Sequence, residues 1–112
     1  MTLSLLVSGA CGRMGRMIAQ EAPRQGFAVV AGLDRCPEET LPFPVYQSAR
    51  DILETPQVLV DFSSPLALPG LLAFMKDHGM PGVLGTTGYQ PEHLQMMEEA
   101  ARDVPVFYAP NM

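Results

Sequence analysis

Short, near-continuously apolar runs recur along the chain, and helical patterns separate them. Leu3–Val7, Phe27–Leu33, Val58–Phe62, Gly82–Gly85 and Val104–Tyr108 carry apolar residues on successive rather than alternate positions, the pattern of strands covered on both faces. Between them, Arg16–Ala22 predicts a helix that Pro23 and Gly26 stop. Ser48–Glu54 predicts a short helix with Ser48 as its N-cap. Ser63-Ser64-Pro65 opens a helix that runs to about His78 and either begins or kinks at Pro69. A last helix has Pro91 in its first turn and ends near Arg102. Cys36–Tyr46 holds Pro37, Pro42 and Pro44 and reads as a surface loop.

Buried strands alternating with helices predict an α/β fold, a doubly wound, Rossmann-like parallel sheet. Right-handed crossovers suggest the strand order 3-2-1-4-5. In such sheets ligands meet the carboxyl ends of the strands. Those ends collect the small and polar residues of this chain: Gly9–Gly15, Asp34-Arg35, Phe62-Ser63-Ser64, Gly85-Thr86-Thr87-Gly88 and Ala109-Pro110-Asn111-Met112.

The segment Val7-Ser8-Gly9-Ala10-Cys11-Gly12-Arg13-Met14-Gly15-Arg16 is the most informative of these. Its three glycines follow G-x-x-G-x-x-G across a predicted strand-to-helix turn. There the backbone can turn tightly, approach a pyrophosphate and aim the first N–H groups of the helix at it. Close packing of a helix on a sheet would select glycine too, and the middle glycine is displaced from the commoner G-x-G-x-x-G spacing. The Lys-Ser/Thr pair of a nucleoside-triphosphate loop is missing. Asp34 ends the second strand roughly 20 residues on, where an acidic side chain holds a ribose hydroxyl. Turn and carboxylate together predict a dinucleotide-binding domain.

Composition narrows the partners. A chain of 112 residues with 47% apolar and 17% charged positions fits one globular domain. The net charge of −5, without a basic run, argues against nucleic acid. No apolar stretch is long enough for a membrane span, and no secretory signal is expected. Cys11 and Cys36 have no metal or redox spacing and read as reduced thiols of a cytoplasmic protein. His78 and His93 lie amid polar helix neighbours and read as exposed. Met75, Met80, Met96 and Met97 read as core filling, and Glu98, Glu99 and Asp103 as a solvated helix face. Thr86 and Thr87 could be turn residues, but two hydroxyls between glycines at the ligand edge favour contact with the ligand.

Four segments resemble the 4-hydroxy-tetrahydrodipicolinate reductase (dihydrodipicolinate reductase) family: Gly9–Arg16, Val60-Asp61-Phe62-Ser63, Gly85-Thr86-Thr87-Gly88 and Ala109-Pro110-Asn111. The resemblance implies that Gly9, Ala10, Cys11, Gly12, Arg13 and Met14 wrap the pyrophosphate of NADH or NADPH. It implies that Asp34 faces the adenosine ribose, that Arg35 meets a 2′-phosphate, and that both cofactors bind, NADH at least as well. Gly85, Thr86 and Thr87, with Ala109, Pro110, Asn111 and Met112, would line the nicotinamide. The family's second domain binds a cyclic unsaturated dicarboxylate, carries a His-His…Lys segment and builds a homotetramer. Residues 1–112 would then be the cofactor domain alone, with no catalytic residue of their own and a sheet incomplete at its C-terminal end. A stand-alone dinucleotide-sensing module is a competing expectation, since no catalytic side chain stands in these residues. A homoserine or aspartate-semialdehyde dehydrogenase is another, which Gly85-Thr86-Thr87-Gly88 weighs against.

Overall fold

The computed structural model describes residues 2–35 and 41–108. They form β1 (Leu3–Ser8), α1 (Arg13–Glu21), β2 (Phe27–Leu33), β3 (Val45–Tyr46), β4 (Val58–Asp61), α2 (Leu68–His78), β5 (Gly82–Leu84), α3 (Pro91–Ala100) and β6 (Val106–Tyr108). The six strands make one sheet in the order β3-β2-β1-β4-β5-β6, and every neighbouring pair is parallel.

The α/β class and the parallel, Rossmann-like sheet are as expected, but the strand order needs a correction. Counting five strands in the order 3-2-1-4-5 puts the Val58–Phe62 strand on the outer edge beside the second strand. It lies instead at the centre against β1, with Leu6 opposite Leu59 and Ser8 opposite Asp61. The edge belongs to β3, two residues inside the expected surface loop that pair with Gly32 and Leu33. So short a strand leaves no periodicity to read.

The helices also differ in detail. Ala22–Gln25 tightens into a 3₁₀ turn after α1, and Gly26 caps it with φ 85°. Ser48–Glu54 forms only the 3₁₀ turn Ala49–Asp51, and Ser48 makes no side-chain cap. Pro65–Ala67 is a separate 3₁₀ turn, so α2 starts at Leu68 and Pro69 falls in its first turn. Proline is harmless there because its missing N–H would have no intrahelical partner.

Two clusters of apolar side chains cover the two faces of the sheet. Leu6, Leu59 and Leu84 pack with Leu68, Leu71, Leu72 and Met75 of α2 and with Met97 and Ala100 of α3. Val7, Ala10 and Phe43 pack on the other face with Ile18, Ala19 and Val29. Met75, Met80 and Met97 are buried, as expected of gap-filling methionines. A register shift between Leu5 and Leu6 leaves Val30 without a partner, since Leu5 faces Val29 and Leu6 faces Ala31. The extra residue inverts the alternation, so Val29 faces one cluster and Ala31 and Leu33 the other. No helix among the described residues is long and apolar enough to cross a membrane.

Candidate functional site

Three strand ends and the turns after them enclose a cleft of about 1160 Å³. Gly9 and Gly12 form one wall, Asp34 and Arg35 the end of another, and Phe62 and Ser63 the floor behind them. The segment Gln47–Glu54 and the α2 residues Gly70, Phe74 and His78 close the far side. The cleft lies at the carboxyl ends of the neighbouring strands β1 and β4, where the connection from β1 runs to β2 on one side and that from β4 runs to β5 on the other. Such a switch point is where doubly wound sheets bind ligands.

Close backbone approach shapes the glycine turn. Gly9 sits at φ 83°, in the left-handed region, and a side chain there would meet the Phe62 carbonyl oxygen at 2.7 Å. Its N–H and that of Ala10 donate to the Leu33 carbonyl, at 2.8 and 3.1 Å, which pins the turn to the end of β2. Gly12 is the N-cap of α1 and offers no side-chain cap. Arg13 and Met14 form the first helical turn, both exposed, and N–H groups of that turn lack intrahelical acceptors. Gly15 serves packing instead: a Cβ there would lie 2.3 Å from the Gly9 carbonyl oxygen. The close-packing reading of the glycine pattern therefore holds for Gly15, and for Gly9 against the Phe62 backbone, while Gly12 stands exposed at the start of α1.

Asp34 does more than end a strand. Its Oδ2 accepts the Cys11 N–H at 3.0 Å, so the carboxylate is tied to the glycine turn. Arg16 Nε donates to the Cys11 carbonyl at 3.0 Å and braces the turn from the helix side. Arg35 is exposed at the cleft, and Gln47 Nε2 donates to its carbonyl at 2.9 Å. This amide fastens the segment after β3 to the one after β2.

Gly85, Thr86 and Thr87 follow β5 and do not line this cleft. Phe62 touches both regions, because its ring fills the space where a Gly85 side chain would stand. Thr87 is exposed, but Thr86 is buried and its hydroxyl donates to Asp61 Oδ2 at 2.9 Å. The Thr86 hydroxyl is thus turned into the molecule rather than toward the ligand edge. Ala109, Pro110, Asn111 and Met112 lie outside the described residues, as does Cys36.

Two side chains of this edge were assigned no role from the sequence. Asp61, fully buried, accepts from the Ser63 N–H at 3.1 Å and the Ser63 hydroxyl at 2.5 Å. Besides Thr86, it also accepts from the Tyr89 hydroxyl at 3.3 Å. Burial first, and then the Asp61 charge, push the Tyr89 phenol well above its ordinary range. The legible signal was an acidic residue inside an apolar strand, which folding tolerates only with donors around it. His78 departs from its expectation in one respect. It is exposed, but its ring stacks 4.2 Å from Phe74 at the mouth of the cleft. His93 Nδ1 accepts the Gln90 N–H and completes a capping box at the start of α3.

The family model described as "Dihydrodipicolinate reductase, N-terminus" matches residues 3–112. The 4-hydroxy-tetrahydrodipicolinate reductase of Clostridium novyi (strain NT) is 39% identical over 109 residues, which are 96% of this chain and 43% of that protein. The enzyme of the same name from Alkaliphilus metalliredigens (strain QYMF) is 36% identical over 111 residues, 98% of this chain and 42% of its own length. A dipicolinate-bound dihydrodipicolinate reductase from Paenisporosarcina sp. TG-14 superposes with a TM-score of 0.78 at 23% identity, over 99% of this chain and 48% of that one. At that identity the superposition speaks for the fold alone. The chain spans less than half the length of these relatives. On the glycine turn, the strand-end edge and these matches, the chain belongs to the dihydrodipicolinate reductase family and corresponds to its N-terminal part.

Proposed function

We propose that residues 1–112 are the NAD(P)-binding domain of a 4-hydroxy-tetrahydrodipicolinate reductase, an oxidoreductase of diaminopimelate and lysine biosynthesis. In this reading the catalytic and substrate-binding groups, and the contacts of a homotetramer, belong to a further domain. The observation that carries the proposal is the cleft at the switch point, with glycine where a side chain would block the turn and a carboxylate 19 residues beyond Gly15. The names of the relatives support the reductase reading over a stand-alone sensing module.

The bound dinucleotide would supply the hydride for a cyclic unsaturated dicarboxylate. The chain's own residues would hold it. Gly9, Ala10, Cys11, Gly12, Arg13 and Met14 would wrap the pyrophosphate. The N–H groups of Gly9, Ala10, Cys11 and Gly12 hold the turn in shape, and the first turn of α1 with its dipole would face the charge. Asp34, with one oxygen on the Cys11 N–H, would accept from the adenosine ribose. Arg35 would draw in a 2′-phosphate that the neighbouring Asp34 repels. These opposed charges support acceptance of both NADH and NADPH, NADH at least as tightly. The backbone of Gly85, Thr86 and Thr87, with Ala109 to Met112, would flank the nicotinamide.

Calorimetric titration tests this directly, and the absence of Trp makes calorimetry preferable to protein fluorescence. The 112-residue chain is expected to bind one equivalent of NADH and one of NADPH, competitively. A chain folded by circular dichroism that binds neither would overturn the proposal for these residues.

A further inference from the structure

Asp61 is a buried carboxylate whose side-chain partners among the described residues are all uncharged. It has no exposed surface, and its hydrogen-bond donors are one backbone N–H and the hydroxyls of Ser63, Thr86 and Tyr89. The ion pairs Arg24–Glu21 and Lys76–Asp103 do not involve Asp61. A neutral amide could link the same neighbours: its oxygen would serve Ser63, and its NH₂ would donate to the two hydroxyls, which accept as readily as they donate. Bridging the loops after β4 and β5 therefore does not require a charge. Burying an unpaired charge is costly, so the carboxylate calls for an electrostatic explanation.

Position supplies one. Asp61 ends β4 and lies opposite Leu84 of β5, on the sheet edge that carries the ligand residues. Its Oδ2 is one hydrogen bond, 2.9 Å, behind Thr86 of the Gly85–Gly88 loop. In a dry interior such a charge is screened far less than one in water. The two redox forms of a nicotinamide dinucleotide differ at the ring by one positive charge, which the oxidised form carries.

We propose that Asp61 is a specificity-determining residue for the redox state of the cofactor: its buried negative charge, one hydrogen bond behind Thr86, favours the oxidised, cationic ring over the reduced, neutral one. The inference rests on the nicotinamide lying against the Gly85–Thr87 loop. The same charge would stabilise the positive charge that grows on the ring as hydride leaves it, and so assist the reductase without touching substrate.

The test compares three ligands on the 112-residue chain by calorimetry: NAD⁺, NADH and ADP-ribose, which lacks the ring. Asp61→Asn is expected to raise the ratio of the NAD⁺ to the NADH dissociation constant about three- to tenfold, as loss of a nearby, weakly screened charge should. ADP-ribose should keep its affinity within about twofold, because the adenosine half is held elsewhere. Tyr89→Phe keeps the charge but removes one donor that offsets it, so the ratio should fall rather than rise. This variant carries the test alone if Asp61→Asn does not fold. Equal weakening of all three ligands would reduce Asp61 to a scaffold residue and overturn the inference. So would an unmoved ratio, or a ratio that rises in Tyr89→Phe. Wild-type chain that binds ADP-ribose, but gains nothing from the ring in either redox state, would overturn the inference and spare the cradle. Folded wild-type chain that binds none of the three would overturn the proposed function itself.

Discussion

Replacing Gly15 by alanine puts a methyl group where α1 touches the turn that launches it. The new carbon would lie 2.3 Å from the Gly9 carbonyl oxygen and 2.7 Å from both the Cα and the carbonyl oxygen of Ala10. Contacts that short are not found in folded proteins, and the obstructing atoms are all backbone, so no side-chain rotation relieves them. Either α1 withdraws from β1 by most of an ångström, or the Gly9–Gly12 turn deforms. Overpacking of this kind costs about 1–3 kcal/mol. Alanine recovers about 0.5–1 kcal/mol through its better helix propensity. The steric cost wins, and a net destabilisation of about 1–2 kcal/mol is expected, or several degrees of melting temperature for a domain of this size. Gly70 in α2 is the internal control, because a side chain there meets nothing within 4 Å. Gly70→Ala should be neutral or stabilising by up to about 0.5–1 kcal/mol. Urea denaturation followed by circular dichroism measures both, and titration with NADH should find Gly15→Ala weakened at least about tenfold through the deformed turn. A Gly15→Ala chain as stable as wild type, with unchanged affinity, would refute the packing argument.

The other expectations concern the same strand ends. Gly85→Ala drives a methyl into the Phe62 ring. It should cost about 1–3 kcal/mol, of which Phe62→Leu recovers a measurable part in a double-mutant cycle. Asp61→Ala strips the acceptor from Ser63, Thr86 and Tyr89 and should cost about 3 kcal/mol in denaturant melts, on the scale of hydrogen bonds to a charged group. Asp34→Ala should weaken NADH about tenfold or more and NADPH much less, and Arg35→Ala should show the opposite bias. A common loss for both cofactors in both variants would remove the assigned roles. Tyr89 has its phenol pKa raised by burial and by Asp61, so the unfolded chain loses this proton first as pH rises above the ordinary value of 10.0. The contribution is complete below that pH and declines as pH climbs through the higher folded value. Stability should therefore fall on the alkaline side, less steeply in Tyr89→Phe, which urea midpoints across that range will record.

Much of this protein was legible in its sequence because the deciding interactions are local. A glycine-punctuated turn after an apolar run, Pro69 and Pro91 in first helical turns, and Gly26 at a left-handed cap state backbone geometry that neighbouring residues alone impose. Uninterrupted apolar runs already required a sheet covered on both faces. Tertiary structure decided what depends on partners distant in the chain. The two-residue strand β3 exists only because Gly32 and Leu33 offer it an edge, and the bulge at Val30 is a matter of register between two strands. Nothing along the sequence chose the place of β4 beside β1, since the hand of a crossover is general but the order of strands depends on which faces pack. The Thr86 hydroxyl turns inward rather than to the ligand edge because Asp61 waits there, 25 residues away. Local geometry could be read from residue types; the environment of a buried carboxylate could not, because residues from the turns after β4 and β5 make it only when the chain has folded.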